Sequence, residues 1–125
     1  MTNTVLIAGA SGLVGAAAAE KFSSDGWDVV AVSRRTPEVD DAARLRHVAV
    51  DLRDTEACRH AFGSMSDVTH AVYTAVFEKP GLVAGWSERD QMETNLLMLQ
   101  NLMEPFSTAA HGLQHVSLLQ RTKAY

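Results

Sequence analysis

The segment Thr4-Val5-Leu6-Ile7-Ala8 runs directly into Gly9-Ala10-Ser11-Gly12-Leu13-Val14-Gly15, and that run leads into four alanines, Ala16 to Ala19. A short, β-branched, continuously apolar stretch reads as a strand buried on both faces of a parallel sheet. The alanine-rich stretch reads as a close-packed helix, so the G-x-x-G-x-x-G run between them is a strand-to-helix turn. Gly9 permits the tight turn off the strand, Gly12 lets a ligand approach the backbone, and Gly15 lets helix and strand pack closely. First-turn N–H groups, at Leu13 and Val14, then point outward with the positive end of the helix dipole behind them, and Ser11 can add a hydroxyl donor. Such a terminus suits the pyrophosphate of a dinucleotide. A glycine pattern alone is weak evidence, and the strand–turn–helix context is what carries this inference.

The rest of the chain repeats the alternation. Gly12 to Ser24 is expected to be helical, with Phe22 toward the core, and Trp27 to Ser33 to form a second strand, completing a right-handed β-α-β unit. A short helix is expected over Ala42 to Leu45, a third strand over His47 to Asp51, and a helix over Thr55 to Phe62 with Asp54 as its N-cap. A fourth strand is expected over Asp67 to Val76. The longest helix, about Ser87 to Phe106, follows, with Met92, Leu96, Leu99 and Met103 at three- and four-residue spacing; Leu113 to Gln120 is the fifth strand. Five strands alternating with helices predict an α/β, three-layer, doubly wound parallel sheet of the Rossmann type. One half of that fold is complete and only the start of the second is present. A fragment is therefore expected, an N-terminal dinucleotide-binding domain over residues 1–125 whose exposed sheet edge predicts self-association into a homo-oligomer.

The end of the second strand bears on which dinucleotide. A carboxylate there holds an unphosphorylated ribose, whereas this chain offers Ser33-Arg34-Arg35, a hydroxyl and two cations suited to a 2′-phosphate. NADP is favoured over NAD; the plainer reading of the arginines is a solvated turn. Asp51-Leu52, closing the third strand, can meet an adenine ring, with the carboxylate accepting from its exocyclic amine. Equally, Asp51 or Asp54 can cap the next helix. Tyr73-Thr74-Ala75-Val76, closing the fourth strand, is expected to line the nicotinamide-side ribose, with core packing of Tyr73 and Val76 as the equal alternative.

Composition removes other classes. The net charge of −4 comes without a basic stripe, which disfavours nucleic acid. No apolar window approaches the ~20 residues of a membrane helix. One cysteine, Cys58, allows no internal disulfide, and the five histidines show no metal-ligand spacing. A cytoplasmic protein without a metal is expected, and Met92, Met98 and Met103 are read as helix core.

Taken together, Gly9 to Gly15, Ser33-Arg34-Arg35, Asp51-Leu52, the strand Asp67-Val68-Thr69-His70-Ala71-Val72-Tyr73, and Leu113-Gln114-His115-Val116-Ser117-Leu118 followed by Lys123-Ala124-Tyr125 resemble the atypical extended short-chain dehydrogenase/reductases. Within them, the resemblance is to the progesterone 5β-reductase and iridoid synthase-like branch. It implies an NADPH-dependent oxidoreductase that reduces the activated carbon–carbon double bond of a small enone or enal. Lys123 matches the family's catalytic lysine, presenting a cation near the nicotinamide ribose, and Gln120 falls among the cofactor contacts. The usual Tyr-x-x-x-Lys pair is absent, because Leu119 stands four residues before Lys123; the branch's catalytic tyrosine comes later than Tyr125. The branch usually has Gly two residues before the lysine. Arg121 stands there, which predicts an obstructed nicotinamide end. Two other readings remain: a non-catalytic NADP-sensing module, and a nucleotide-sugar epimerase or dehydratase of the wider extended group.

Overall fold

In the computed structural model, which describes residues 3–34, 45–75 and 88–118, five strands form one sheet. The element order is β1 (Thr4–Ala8), α1 (Leu13–Ser24), β2 (Asp28–Ser33), β3 (Leu45–Ala49), α2 (Thr55–Phe62), β4 (His70–Tyr73), α3 (Glu88–Ala109) and β5 (His115–Leu118). All neighbouring strands are parallel, and the spatial order is β3-β2-β1-β4-β5. The order reverses between β1 and β4, leaving a crevice above their carboxyl ends where ligands of open α/β sheets bind.

The two faces of the sheet carry unlike cores. Every residue of β1 is buried, as a central parallel strand requires. Because side chains alternate, Val5 and Ile7 join Val29 and Ala31 against α1, where Ala19, Ala18 and Phe22 fill the interface. Leu6, Ala8, Val30 and Val32 face the other way. There they meet Cys58 and Phe62 of α2 and Met98, Leu102 and Phe106 of α3. Phe62 and Phe106 are fully buried, and truncating either to alanine costs about 3–5 kcal/mol. Sheet plus two helix layers is the three-layer arrangement expected, and the fold is a Rossmann-type α/β sheet.

Several boundaries differ from the sequence expectations. Strand β3 begins at Leu45, where a helix was expected to end, and stops at Ala49, before Val50 and Asp51. Its partner decides this. Val29 pairs with Leu45 and Ser33 with Ala49, so β3 ends level with β2 and residues 50–54 leave the sheet at its carboxyl edge. Strand β4 is shorter than expected at both ends, with Thr74 and Ala75 beyond it; at its start Thr69 makes a two-way clasp with Thr4, accepting from Thr4 N at 3.2 Å and donating through Oγ1 to Thr4 O at 3.0 Å. Strand β5 starts two residues late, and Gln120 and Val76 lie outside the described residues, as does the stretch 42–44.

Helix α3 also presents a different face. Met98, Leu102 and Phe106 are its buried ridge, flanked by Leu99 and Met103, whereas Met92 is 71% exposed and Leu96 55%. Apolar residues at 96 through 99 span most of a turn, so helical periodicity permits more than one inward face, and contact with α2 and the sheet selects one.

Candidate dinucleotide site

Above the carboxyl ends of β1, β2 and β4 lies a cavity of about 380 Å³. One side of it is backbone. Gly9 has φ +86°, a left-handed conformation that side chains rarely adopt, and a Cβ there would sit 2.7 Å from Thr74 Oγ1 and 2.8 Å from Ala75 N. A Cβ on Gly15 would meet the Gly9 carbonyl oxygen at 2.1 Å, so the turn and the first turn of α1 touch main chain to main chain. Thr74 fastens the same corner from β4, its N and Oγ1 donating to Ala8 O at 2.9 and 2.8 Å.

Gly12 differs from the other two. The nearest atom to a Cβ there is Gly9 O at 3.4 Å, and Gly12 lines the cavity together with Gly9 and Ser11. It is also the N-cap of α1, without a side-chain cap and with no acidic residue in the first turn. The first-turn N–H groups of an α-helix have no acceptor within the helix. An uncapped terminus beneath a side-chain-free approach suits a diphosphate, whose charge both the N–H groups and the helix dipole favour.

The opposite side is built from side chains. Arg34, exposed, follows Ser33 at the end of β2, and both line the cavity. Ser33 Oγ and Ser33 O lie 3.1 and 3.2 Å from His47 Nε2; a carbonyl can only accept, so Nε2 is the donor and Oγ an acceptor. Asp51 does not cap α2. Asp54 does, accepting from Ala57 N at 3.1 Å. The Asp51 carboxylate instead takes Arg53 N (2.9 Å) and Nε (3.1 Å) on Oδ1 and Nη2 (2.9 Å) on Oδ2. These bonds from Arg53 hold its carboxyl below the usual carboxylate range, with the Arg34 charge adding to the effect. With about four acceptor positions on a carboxylate and three donors in place, Asp51 keeps capacity for one more.

The remaining expected residues are spread more widely. Leu52, Thr74 and Ala75 line the cavity. The side chains of Leu13 and Val14 face solvent, leaving their backbone as what they can offer, and Gly15 lies behind the turn in the helix–strand contact. Tyr73 follows the core-packing reading and does not line the cavity. It ends β4 on the same face as Ala71, so its ring is buried in the core beneath the cavity. Among the described residues its hydroxyl has no hydrogen-bond partner, and burial, with Cys58 adding to it, pushes its pKa up to about 12. Burial likewise raises the Cys58 thiol to about 11, so both groups are neutral at physiological pH. Arg35, Gln120, Arg121 and Lys123 lie outside the described residues.

Four lining residues had no sequence signal tied to the site: Val32, Val50, Arg53 and Met98. Val32 and Val50 read as strand interior, and Met98 as helix core, which it also is. Arg53 follows Asp51-Leu52 directly, and a cation two residues from a candidate site carboxylate was the available clue.

The described residues contain no helix long and apolar enough to cross a membrane. In sequence, the chain is 31% identical to a 3-oxo-Delta(4,5)-steroid 5-beta-reductase of Arabidopsis thaliana over 98% of its length and 32% of the relative's. It is 28% identical to an (S)-8-oxocitronellyl enol synthase of Antirrhinum majus, over 98% of the chain and 31% of that relative. The chain thus spans about a third of the length of these curated relatives. In structure it resembles a short-chain dehydrogenase of Burkholderia cenocepacia, solved in complex with NADP, with a TM-score of 0.71 and 24% identity over 86% of this chain and 48% of that one. The profile of the NAD dependent epimerase/dehydratase family matches residues 5–119, from the first strand of the glycine turn through the fifth. With the sheet order, the glycine corner and that match in agreement, the chain belongs to the NAD dependent epimerase/dehydratase family, among the extended short-chain dehydrogenase/reductases.

Proposed function

We propose that this chain is the NADP(H)-binding domain of an oxidoreductase that reduces the conjugated carbon–carbon double bond of a small enone or enal. The observation that carries the cofactor reading is Arg34, standing on the cavity wall directly after β2, within a sequence, Ser33-Arg34-Arg35, that offers cations and no carboxylate. The diphosphate would lie over the uncapped start of α1, and the 2′-phosphate beside Arg34. The adenine would rest against Leu52, its exocyclic amine donating to the open position of Asp51. Thr74 and Ala75 would flank the nicotinamide-side ribose. Reduced nicotinamide supplies the hydride when bound. Lys123 is assigned from the family resemblance as the cation that steadies negative charge developing on the enone oxygen. The substrate class is inferred from the names of the two relatives, one a 5-beta-reductase of 3-oxo-Delta(4,5)-steroids and the other a synthase of (S)-8-oxocitronellyl enol.

Titration with NADPH and NADH tests the cofactor reading. A charge-assisted hydrogen bond to the 2′-phosphate is worth roughly 1.5–3 kcal/mol, so NADPH is expected to bind about ten- to a hundredfold more tightly. Equal affinity, or none for either, overturns it. Enone-dependent NADPH oxidation by the full-length protein containing this segment tests the reaction; NADPH binding without turnover on a panel of enones and enals favours a sensing module instead.

A further inference from the structure

Helix α3 carries a polar side chain where its core-facing ridge would accept only apolar ones. Asn101 lies between Met98 and Leu102, is 6% exposed, and has both ends of its carboxamide engaged. Its Nδ2 donates to Leu52 O at 2.8 Å, and its Oδ1 accepts from Thr55 Oγ1 at 3.2 Å. Leu52 O can only accept, which fixes the orientation of the amide. A buried carboxamide is costly to retain unless its hydrogen bonds are made, and here they are made to one short segment.

That segment is residues 51–55, the turn outside the sheet that bears Asp51 and Leu52. Its local hydrogen bonds close it on itself: Asp54 N donates to Asp51 O at 2.9 Å, and Arg53 N to the Asp51 side chain. Such bonds fix the turn's shape; its place is set by contacts beyond it, Val50 N donating to Ser33 O at 3.3 Å, Cys58 Sγ to Asp51 O at 3.7 Å, and the two bonds of Asn101. Asn101 grips both sides of the Arg53-Asp54 tip from beneath. Met98, three residues earlier on the same helix face, lines the cavity itself. One face of α3 therefore lines the cavity through Met98 and holds the turn through Asn101.

We propose that Asn101 is a positioning residue for adenine recognition, acting through Leu52 and Thr55 without touching the nucleotide; this rests on the nucleotide reading above. If the turn moves, Asp51 no longer meets the exocyclic amine, so the lost property is discrimination between bases more than affinity as such. The probes are NADPH and nicotinamide hypoxanthine dinucleotide phosphate, which lacks that amine, titrated against the unaltered protein, Asn101→Leu, Thr55→Val and Thr55→Ser. The unaltered protein is expected to prefer NADPH by about five- to tenfold, the worth of one hydrogen bond. Asn101→Leu and Thr55→Val should each reduce that ratio to about twofold or less, and Thr55→Ser, which keeps the hydroxyl, should restore it. If Asn101→Leu does not fold, the Thr55→Val and Thr55→Ser pair decides. A ratio that persists in the folded variants, even with both affinities lowered together, assigns Asn101 a purely structural role and overturns the proposal. Equal binding of both probes by the unaltered protein overturns it as well. Absence of any dinucleotide binding removes the nucleotide reading, and this inference with it.

Discussion

The two walls of the cavity are made of different material. At the glycine corner the wall is main chain, with Gly9, Gly15 and Ala75 in contact so close that there is no room for a single methyl group. Across from it, residues 50–53 form a wall of side chains, where Asp51 and Arg53 hold each other at 2.9–3.1 Å and Asn101 of α3 supports the turn. A wall of backbone and the fold around it are one object, so damage to it is damage to folding. A wall of side chains can be altered while the sheet beneath remains intact.

Gly15→Ala puts this contrast under the greatest strain. The added Cβ would overlap the Gly9 carbonyl at 2.1 Å, and neither α1 nor the turn can give way cheaply. The expected loss is about 3 kcal/mol, at the upper end for overpacked cores, read as a Tm lower by roughly 10 °C. A Tm within a degree or two of the unaltered protein would break the comparison. Gly12→Ala sharpens it from within the same motif. Its Cβ would have only Gly9 O near, at 3.4 Å, so the melting temperature should hold. NADPH affinity should fall about tenfold as the methyl meets the diphosphate, by about 1.4 kcal/mol. Calorimetric titration beside a thermal melt separates the two effects.

The smallest expected effect belongs to the side-chain wall. Arg53 holds the Asp51 pKa below its ordinary value of 3.8, so this pair contributes stability above that pH and loses it as pH falls through the lowered value. Both side chains are more than a third exposed, which limits the contribution to less than about 1 kcal/mol. Arg53→Ala should therefore melt slightly lower than the unaltered protein near neutrality, with the gap closing as the buffer is acidified below pH 3.8 and through the lowered value. A constant gap across pH would mean that Arg53 acts through packing and not through the carboxylate.

The glycine corner could be read from the sequence because its information is local. An apolar strand, three glycines and an alanine helix within some twenty residues leave few alternatives, and Asp54 as the cap of α2 is equally a matter of neighbours. The fold class followed from alternation alone. Where strands end did not, since β3 is cut at Ala49 by the length of β2, a partner sixteen residues away. The inward face of α3 was ambiguous for the same reason: its apolar residues cover more than one ridge, and α2 with the sheet chooses Met98, Leu102 and Phe106. Tyr73 shows the limit most plainly. Its position at a strand's carboxyl end allowed both the site and the core, and the parity of β4 turned its ring into the core.

By itself, then, the sequence determined a parallel α/β sheet, a helix terminus suited to a diphosphate and a pair of arginines after the second strand. Each rests on interactions among residues close in the chain, where backbone preference and side-chain spacing suffice. Only the tertiary structure decided that Met98 reaches the cavity and that Asn101, nearly fifty residues downstream of Leu52, holds the turn opposite the glycines. Those contacts depend on how α3 comes to lie across α2 and the sheet, a consequence of burying one apolar ridge, and no local pattern records it.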